Sequence, residues 1–409
     1  MKNRISRNNI TISLDKFGQA KYLNDCILHE IGNGNNRITV NILDSFSGSN
    51  VCAPIAGIID YHRNNGILIQ VNCPKNSYAN HVRIYNPIII EESISDISPF
   101  DKVYSFSSEE GVDKIVTMYS LALRQSDTLE AGVIKSLEWC MNEAIDNVLQ
   151  HSLSKKGFVM AQLHKQNKKF NFCVFDSGIG IFNSLRDTKH APHNPLSAIQ
   201  MAMRERVTRD EKIGQGNGLW GLSQIIKETK GRLQISSGGA CYIYDNEQEK
   251  VTKSGDFNLG KTNGTTMIDF QLDYSSPIDV AQALNGYIPL DFWLENHEND
   301  QGEIILDIAE ESNGTGTRKS AEKMRNVVIN CFQEHYSTIC LDFKNVEMLS
   351  SSYADELIGK LVALFGFSNF MEHIVIAHLN DFNAAIVNRS VGQRMAQIYM
   401  EEKINEEEE

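Results

Sequence analysis

Paired cysteines are missing from this sequence. Its eight cysteines, Cys26, Cys52, Cys73, Cys140, Cys173, Cys241, Cys331 and Cys340, stand singly with no Cys-x-x-Cys spacing. That argues against a zinc site or a disulfide framework and for reduced, buried thiols. Long apolar runs are missing too: no stretch approaches the roughly 18 residues of a membrane span. Met1–Asn9 is polar and basic with no apolar run behind it, unlike a signal peptide. These absences point to the cytoplasm. Basic charge is in deficit, with 39 Lys and Arg against 52 Asp and Glu, a net −13. A general nucleic-acid binder needs a basic surface for phosphate contacts, so that class is disfavoured. No short-period repeat is visible.

What remains is a globular composition, 41% hydrophobic and 22% charged, over 409 residues. That is too long for one ordinary core, so two or three domains are expected. The expected division is an α/β domain over 1–108, a second domain over 109–276 and a third over 277–409, ending in the acidic tail Glu406–Glu409.

Periodicity supplies the elements. Arg37–Leu43 alternates as a half-buried strand, Cys52–Asn65 carries a helical stripe, and Gly66–Val71 is a second apolar run. Asn72–Pro87 reads as loop and Ser93–Ser108 as linker. A long helix is expected from about Ser126 to His151, capped by Ser126 or Asp127, with the stripe Val133, Leu137, Cys140, Ala144 and Val148. Strands follow at Phe158–Leu163 and Phe170–Phe175, then a polar segment Ser184–Ile213, a helix Leu219–Thr229, and strands at Arg232–Tyr244 and Thr265–Asp273. The last third alternates strand and helix: Glu303–Ile308, Thr317–Phe332, Thr338–Phe343, Ser352–Leu364 and His373–Ala377. That pattern specifies a small α/β layer domain.

Four motifs in one order carry candidate chemistry. On the long helix, Glu143 and Asn147 are four apart and share a side. A carboxylate there can orient a water for attack on a γ-phosphate, and an Asn oxygen can hold Mg²⁺, which prefers oxygen ligands. Taken alone the pair also reads as two solvated polar residues. Next, Asp176-Ser-Gly-Ile-Gly180 ends a strand. Its Asp can accept from an adenine amino group while Gly178 and Gly180 allow close backbone approach; alone, it is equally a capped turn. Third, Gly214-Gln-Gly216-Asn-Gly218-Leu219 opens a helix, where backbone amides can cradle phosphate. It lacks the Gly-Lys-Ser/Thr ending of a P-loop and the enclosing βαβ unit of a Rossmann fingerprint. Fourth, Gly264-Thr265-Thr266 enters a strand.

In order and spacing these four motifs resemble the N, G1, G2 and G3 boxes of the GHKL ATPases (gyrase, heat-shock chaperone, histidine kinase, mismatch repair). The resemblance covers about two-fifths of the chain. It implies a two-layer α/β sandwich with a mixed sheet, binding ATP and Mg²⁺. Residue by residue it implies Glu143 as general base and Asn147 as Mg²⁺ ligand. Asp176 becomes the adenine-reading carboxylate, with Gly178 and Gly180 shaping that wall. Gly214, Gly216, Gly218 and Leu219 become the phosphate-contacting hinge of a lid, and Thr265 an adenine-side hydroxyl. The stretch Asn142–His151 is similar to the anti-sigma-factor serine kinases and histidine-kinase-like ATPases.

Thr338–Lys360 resembles the STAS fold of anti-sigma-factor antagonists, in which a Ser at a helix start is phosphorylated. The aligned residue is Ser352, although Ser350 stands where that family has Asp and Tyr353 where it has Gly. The bland reading is that Ser350–Ser352 cap the helix. The 1–108 segment reads as a second STAS-like α/β unit. Together the resemblances imply an ATP-driven regulatory switch with slow hydrolysis and a protein partner met through a STAS-like domain. A protein serine kinase acting on Ser351, Ser352 or a partner is the first alternative. A non-catalytic nucleotide-sensing scaffold in signalling or phage defence is the second. Dimerisation is frequent in proteins resembling this class.

Overall fold

The computed structural model describes residues 8–15, 18–93, 98–152, 154, 156–188, 191–204, 218–253, 259, 264–286, 297–299, 301–333 and 338–408. Among these the strands form three sheets, and the chain divides into two compact units. Met1–Tyr119 with Ser136–Pro289 make the first, and Ser120–Lys135 with Leu290–Glu409 the second. No described helix is long and apolar enough to cross a membrane.

The first unit opens with β1 (Asn9–Ser13), α1 (Gln19–Gly32), β2 (Arg37–Leu43), α2 (Ser49–Asn64) and β3 (Leu68–Asn72). The three strands are parallel in sequential order. Alternation in β2 buries Ile38, Val40 and Ile42, while Asn41 on the other face accepts a hydrogen bond from Asn72. Helix α3 (Tyr78–His81) follows, then β4 (Ile88–Ile89), β5 (Val103–Phe106), α4 (Glu109–Ser126), α5 (Val133–His151), β6 (Gly157–His164) and β7 (Lys169–Asp176). Next come α6 (Gly180–Arg186), α7 (Pro195–Ala202), α8 (Gly218–Glu228), β8 (Arg232–Ser237), β9 (Ala240–Asp245), β10 (Gln248–Lys253), β11 (Thr266–Asp273) and α9 (Val280–Ala283). Strands β4 to β11 form one mixed sheet in the order β10-β9-β8-β11-β7-β6-β5-β4. Only β4 and β5 are parallel neighbours in it.

Residues directly opposite across this sheet share a face. Phe158, Phe175 and Met267 therefore point together, into a core shared with α2 and the first small sheet. A methyl group on Gly57 of α2 would stand 2.3 Å from the Phe175 ring, so glycine lets the helix lie directly on β7. The polar groups at the start of α2 are also met from the sheet. Gln162 accepts from the Ser49 amide at 2.9 Å, and Asn50 donates to Asp269 at 3.3 Å. On the opposite face Tyr119 of α4 packs against Phe170 and Phe172, and its hydroxyl accepts from the Ala161 amide. The α5 stripe Val133, Leu137, Cys140, Ala144 and Val148 is buried throughout, as its spacing requires.

The second unit contains β12 (Glu303–Asp307), α10 (Ile308–Glu311), α11 (Arg318–Gln333), β13 (Thr338–Asp342), α12 (Ser351–Ala354), α13 (Lys360–Phe365), α14 (Phe367–His373), β14 (Ile374–Ala377) and α15 (Asp381–Glu408). Its strands are again parallel and sequential. A π-helical turn, Asp355–Gly359, joins α12 to α13. It carries a buried Glu356 that meets Arg318, Arg325 and Lys360, while Asp355 takes a two-pronged bond from Arg394 of α15. The buried Asn330 of α11 accepts from the Leu129 amide and donates to the carbonyls of Arg124 and Asp127. It thereby fixes the connection between α4 and α5 within this unit. Ser350 caps α12 by accepting from the Tyr353 amide at 3.0 Å, and Ser351 is exposed.

Three sequence expectations change. The helix expected from Ser126 starts at Val133, because Ser126 closes α4 instead. Asp127 takes the Thr128 amide on its own side chain and Gly132 has φ 76°, so the chain breaks there rather than being capped. The expected linker Ser93–Ser108 contains β5, buried at every residue. Neighbours on both edges and packing on both faces leave β5 no polar alternation to betray it. Within the expected loop Asn72–Pro87, Ser77 caps the single turn of α3.

Candidate functional site

Helix α5 presents Glu143 and Asn147 one step beside its buried stripe. The Glu143 carboxylate abuts the first residue of α8: a methyl group on Gly218 would stand 2.4 Å from Glu143 Oε2. One turn earlier, Trp139 packs against Gly221 of α8 in the same manner. Glycines thus set how closely α8 approaches α5. Burial, then the nearby Asp146, raises the Glu143 carboxyl to about 7. Asp146 itself rises to about 6 through burial and the charges of Asp113 and Glu109. The Asn147 side-chain NH₂ donates back to the Glu143 carbonyl, which directs the NH₂ inward along the helix.

Asp176 closes β7 at 3% exposure. Burial raises its carboxyl to about 7 against the opposing effect of the Gly178 amide, which donates to Asp176 Oδ1 at 2.7 Å. The Asp176–Gly180 loop is pinned at two further points. The Ile179 amide donates to the Ser152 carbonyl at 2.7 Å, and the Ile181 amide to Ser237 Oγ at 2.9 Å. A methyl on Gly178 would lie 2.2 Å from the Ser152 carbonyl oxygen, and Gly180 has φ 74°, so both positions demand glycine. A methyl on Gly264 would likewise stand 2.5 Å from the Ile179 carbonyl oxygen.

Thr266 stands in register with both Asp176 and Ser237, and its hydroxyl is 3.2 Å from Ser237 Oγ. It therefore shares the face of Asp176, whereas Thr265 is buried just ahead of the strand. The structure brings Asp176, Gly178, Gly180 and the Gly264–Thr266 turn into one cluster, and Glu143 and Gly218 into a second contact on α5. Leu219 is half-buried in the first turn of α8. Gly214 and Gly216 lie outside the described residues, as does the end of the Ser184–Ile213 segment. Its described part holds α7, with a reciprocal Asn194–Ser197 capping box and Pro195 at the first position.

Sequence reasoning missed Ser152 and Ser237, and within the Gly264–Thr266 motif it chose Thr265 where Thr266 shares the face of Asp176. Serines at a helix end and a strand end carry no periodic signal, and only the folded contacts with the Ile179 and Ile181 amides show that they meet the Asp176 loop. Among the described residues no group of three His, Cys, Asp or Glu could hold a metal ion.

The raised Asp176 carboxyl has a consequence for stability. Its folded value, about 7, exceeds the ordinary aspartate value of 3.8. The folded state thus holds this proton more tightly, and the stabilisation is lost as pH rises through about 7. The ligand-free Asp176→Asn variant is expected to melt with the parent at about pH 4, to draw ahead of it as pH rises towards about 7, and to melt several degrees above it at pH 8. Scanning fluorimetry checks this, and a difference that does not vary with pH refutes it.

The class the fold defines is α/β: a mixed eight-stranded sheet with helices, and two small parallel α/β layers. Residues 320–383 match the family described as a STAS-like domain of unknown function (DUF4325). Among solved structures, the ATP-binding domain of topoisomerase IV from Francisella tularensis, in complex with a small-molecule inhibitor, is similar at 18% identity with a TM-score of 0.23. That similarity covers 49% of this chain and 86% of the other. No curated protein matches the chain.

Proposed function

We propose that residues 109–276 bind ATP and hydrolyse it slowly, as a nucleotide-driven regulatory switch. The observation that carries this reading is the half-buried Glu143 carboxylate abutting the first residue of α8, with the Asp176 loop on the same face of the sheet. Glu143 has the character of a general base: a value near 7 suits proton transfer at neutral pH. It orients a water and takes its proton as the water oxygen attacks the γ-phosphorus and ADP leaves. Asp176 accepts from the adenine amino group, with the Thr266 hydroxyl beside it. The opening turn of α8 offers backbone N–H groups to phosphate. The donor set fits Mg²⁺. The Asn147 NH₂ is engaged with the helix, so its amide oxygen is the ligand atom, and this ion is commonly held by few protein oxygens together with substrate phosphates. When bound, Mg²⁺ supplies charge neutralisation on the phosphates. The STAS-like segment of the second unit is the surface assigned to a protein partner.

The test follows γ-labelled ATP into free phosphate and into protein. Phosphate release without labelled protein is expected. Label lost in Ser352→Ala would favour the serine-kinase alternative instead. Thermal melting gives the binding arm, because a ligand of the folded state stabilises by RT ln(1 + [L]/Kd). No rise in melting temperature with millimolar ATP and Mg²⁺ would overturn the proposal.

A further inference from the structure

We propose that helix α2 of the N-terminal segment is a positioning element of the Asp176 site, acting through Gly57 on Phe175 and through Asp60 on Lys156. The inference rests on the nucleotide reading above. Side chains alternate along β7, so Phe175 and Asp176 are adjacent and face opposite ways. Phe175 lies against α2 at Gly57, where there is no room for a methyl group, and Phe158 lies 3.1 Å from the same point. A shift of α2 is therefore a shift of the residue next to Asp176.

The second contact reaches the same loop from another side. Asp60 is three residues beyond Gly57, about one helical turn, and its Oδ1 is 3.1 Å from Lys156 Nζ. Lys156 Nζ also sits 5.8 Å from the centre of the Phe158 ring. Lys156 immediately precedes Gly157, which is in register with Asp176. Its carbonyl accepts from Ser154 Oγ, and the Ser154 amide donates to Ser152 Oγ. Ser152 is the residue whose carbonyl takes the Ile179 amide. Asp60, Lys156, Ser154, Ser152 and Ile179 thus form a continuous path from α2 to the Asp176 loop. Every link is a direct contact.

A single half-buried ion pair of this kind adds little to global stability. A charge placed wrongly at it acts on the path itself. The experiment measures affinity of the full chain for a non-hydrolysable ATP analogue and for its guanine counterpart, in the parent, Asp60→Lys, Lys156→Asp and the double exchange. Each single variant is expected to lose fivefold or more in affinity for the adenine analogue, with a smaller adenine-over-guanine preference. The double exchange is expected to recover most of both. The adenine-over-guanine preference is the readout that a purely structural role would leave unmoved, and recovery by exchange ties the effect to the Asp60–Lys156 pair. Folded single variants that stay within twofold of a binding parent overturn this inference alone. A parent that binds neither analogue overturns the nucleotide reading and this inference with it. Should Lys156→Asp fold poorly, Lys156→Gln replaces it and is expected to show a smaller loss in the same direction.

Discussion

Glu143→Gln is expected to slow ATP hydrolysis by about 10²–10⁴-fold, the range a positioned general base contributes, while nucleotide affinity stays close to that of the parent. The reason lies in where the carboxylate sits. It touches Gly218 at the start of α8, so it borders the opening turn of that helix without occupying its backbone amides. The amide replacement keeps shape and burial and removes only the ability to accept the proton. Because burial, followed by Asp146, brings the parent carboxyl to about 7, the base is ionised above that pH and protonated below it. Hydrolysis by the parent is therefore expected to fall as pH drops from 8 to 6. Phosphate release measured across that window, beside equilibrium binding of the non-hydrolysable analogue, checks both statements. A Glu143→Gln protein that hydrolyses at the parent rate would remove Glu143 from the base role.

Asp176→Asn is expected to weaken adenine-nucleotide binding by roughly 10–100-fold, as loss of a hydrogen bond to a charged acceptor implies. The same substitution is expected to stabilise the ligand-free protein at pH 8, because it removes a carboxylate whose ionisation is opposed by burial. Weaker binding together with higher ligand-free stability marks a residue retained for its site. Calorimetric titration gives the affinity. A variant that binds as tightly as the parent, at unchanged adenine preference, would show that Asp176 only caps the Gly178 turn. The serines around it sharpen the contrast. Ser237 holds the loop through the Ile181 amide, so its loss is expected to loosen the cluster rather than remove an acceptor.

The two small parallel layers show how much a local pattern conveys. Strands β2 and β13 alternate cleanly because one face is buried and the other is not. The helices that follow them carry a glycine at the same place, eight residues after Ser49 in one and eight after Ser351 in the other. Sequence gives no reason for either glycine. The fold does: Gly57 meets Phe175 and Phe158, and Gly359 meets Arg394 and Ser390 of α15. Strand β5 is the opposite case, since it is buried at all four residues and so has no alternation to read.

The sequence by itself determined the order and spacing of the four motifs, the apolar stripe of α5, the α/β alternation of the last third and the absence of a membrane-spanning helix among the described residues. Each is a local property: helical spacing of four, strand spacing of two, or the composition of one stretch. Tertiary structure alone decided that Gly218 lies against Glu143, that Thr266 rather than Thr265 shares the face of Asp176, and that α2 covers the back of β7. Those outcomes depend on register and on contacts between segments far apart in the chain, such as Asp60 with Lys156, which no local period encodes.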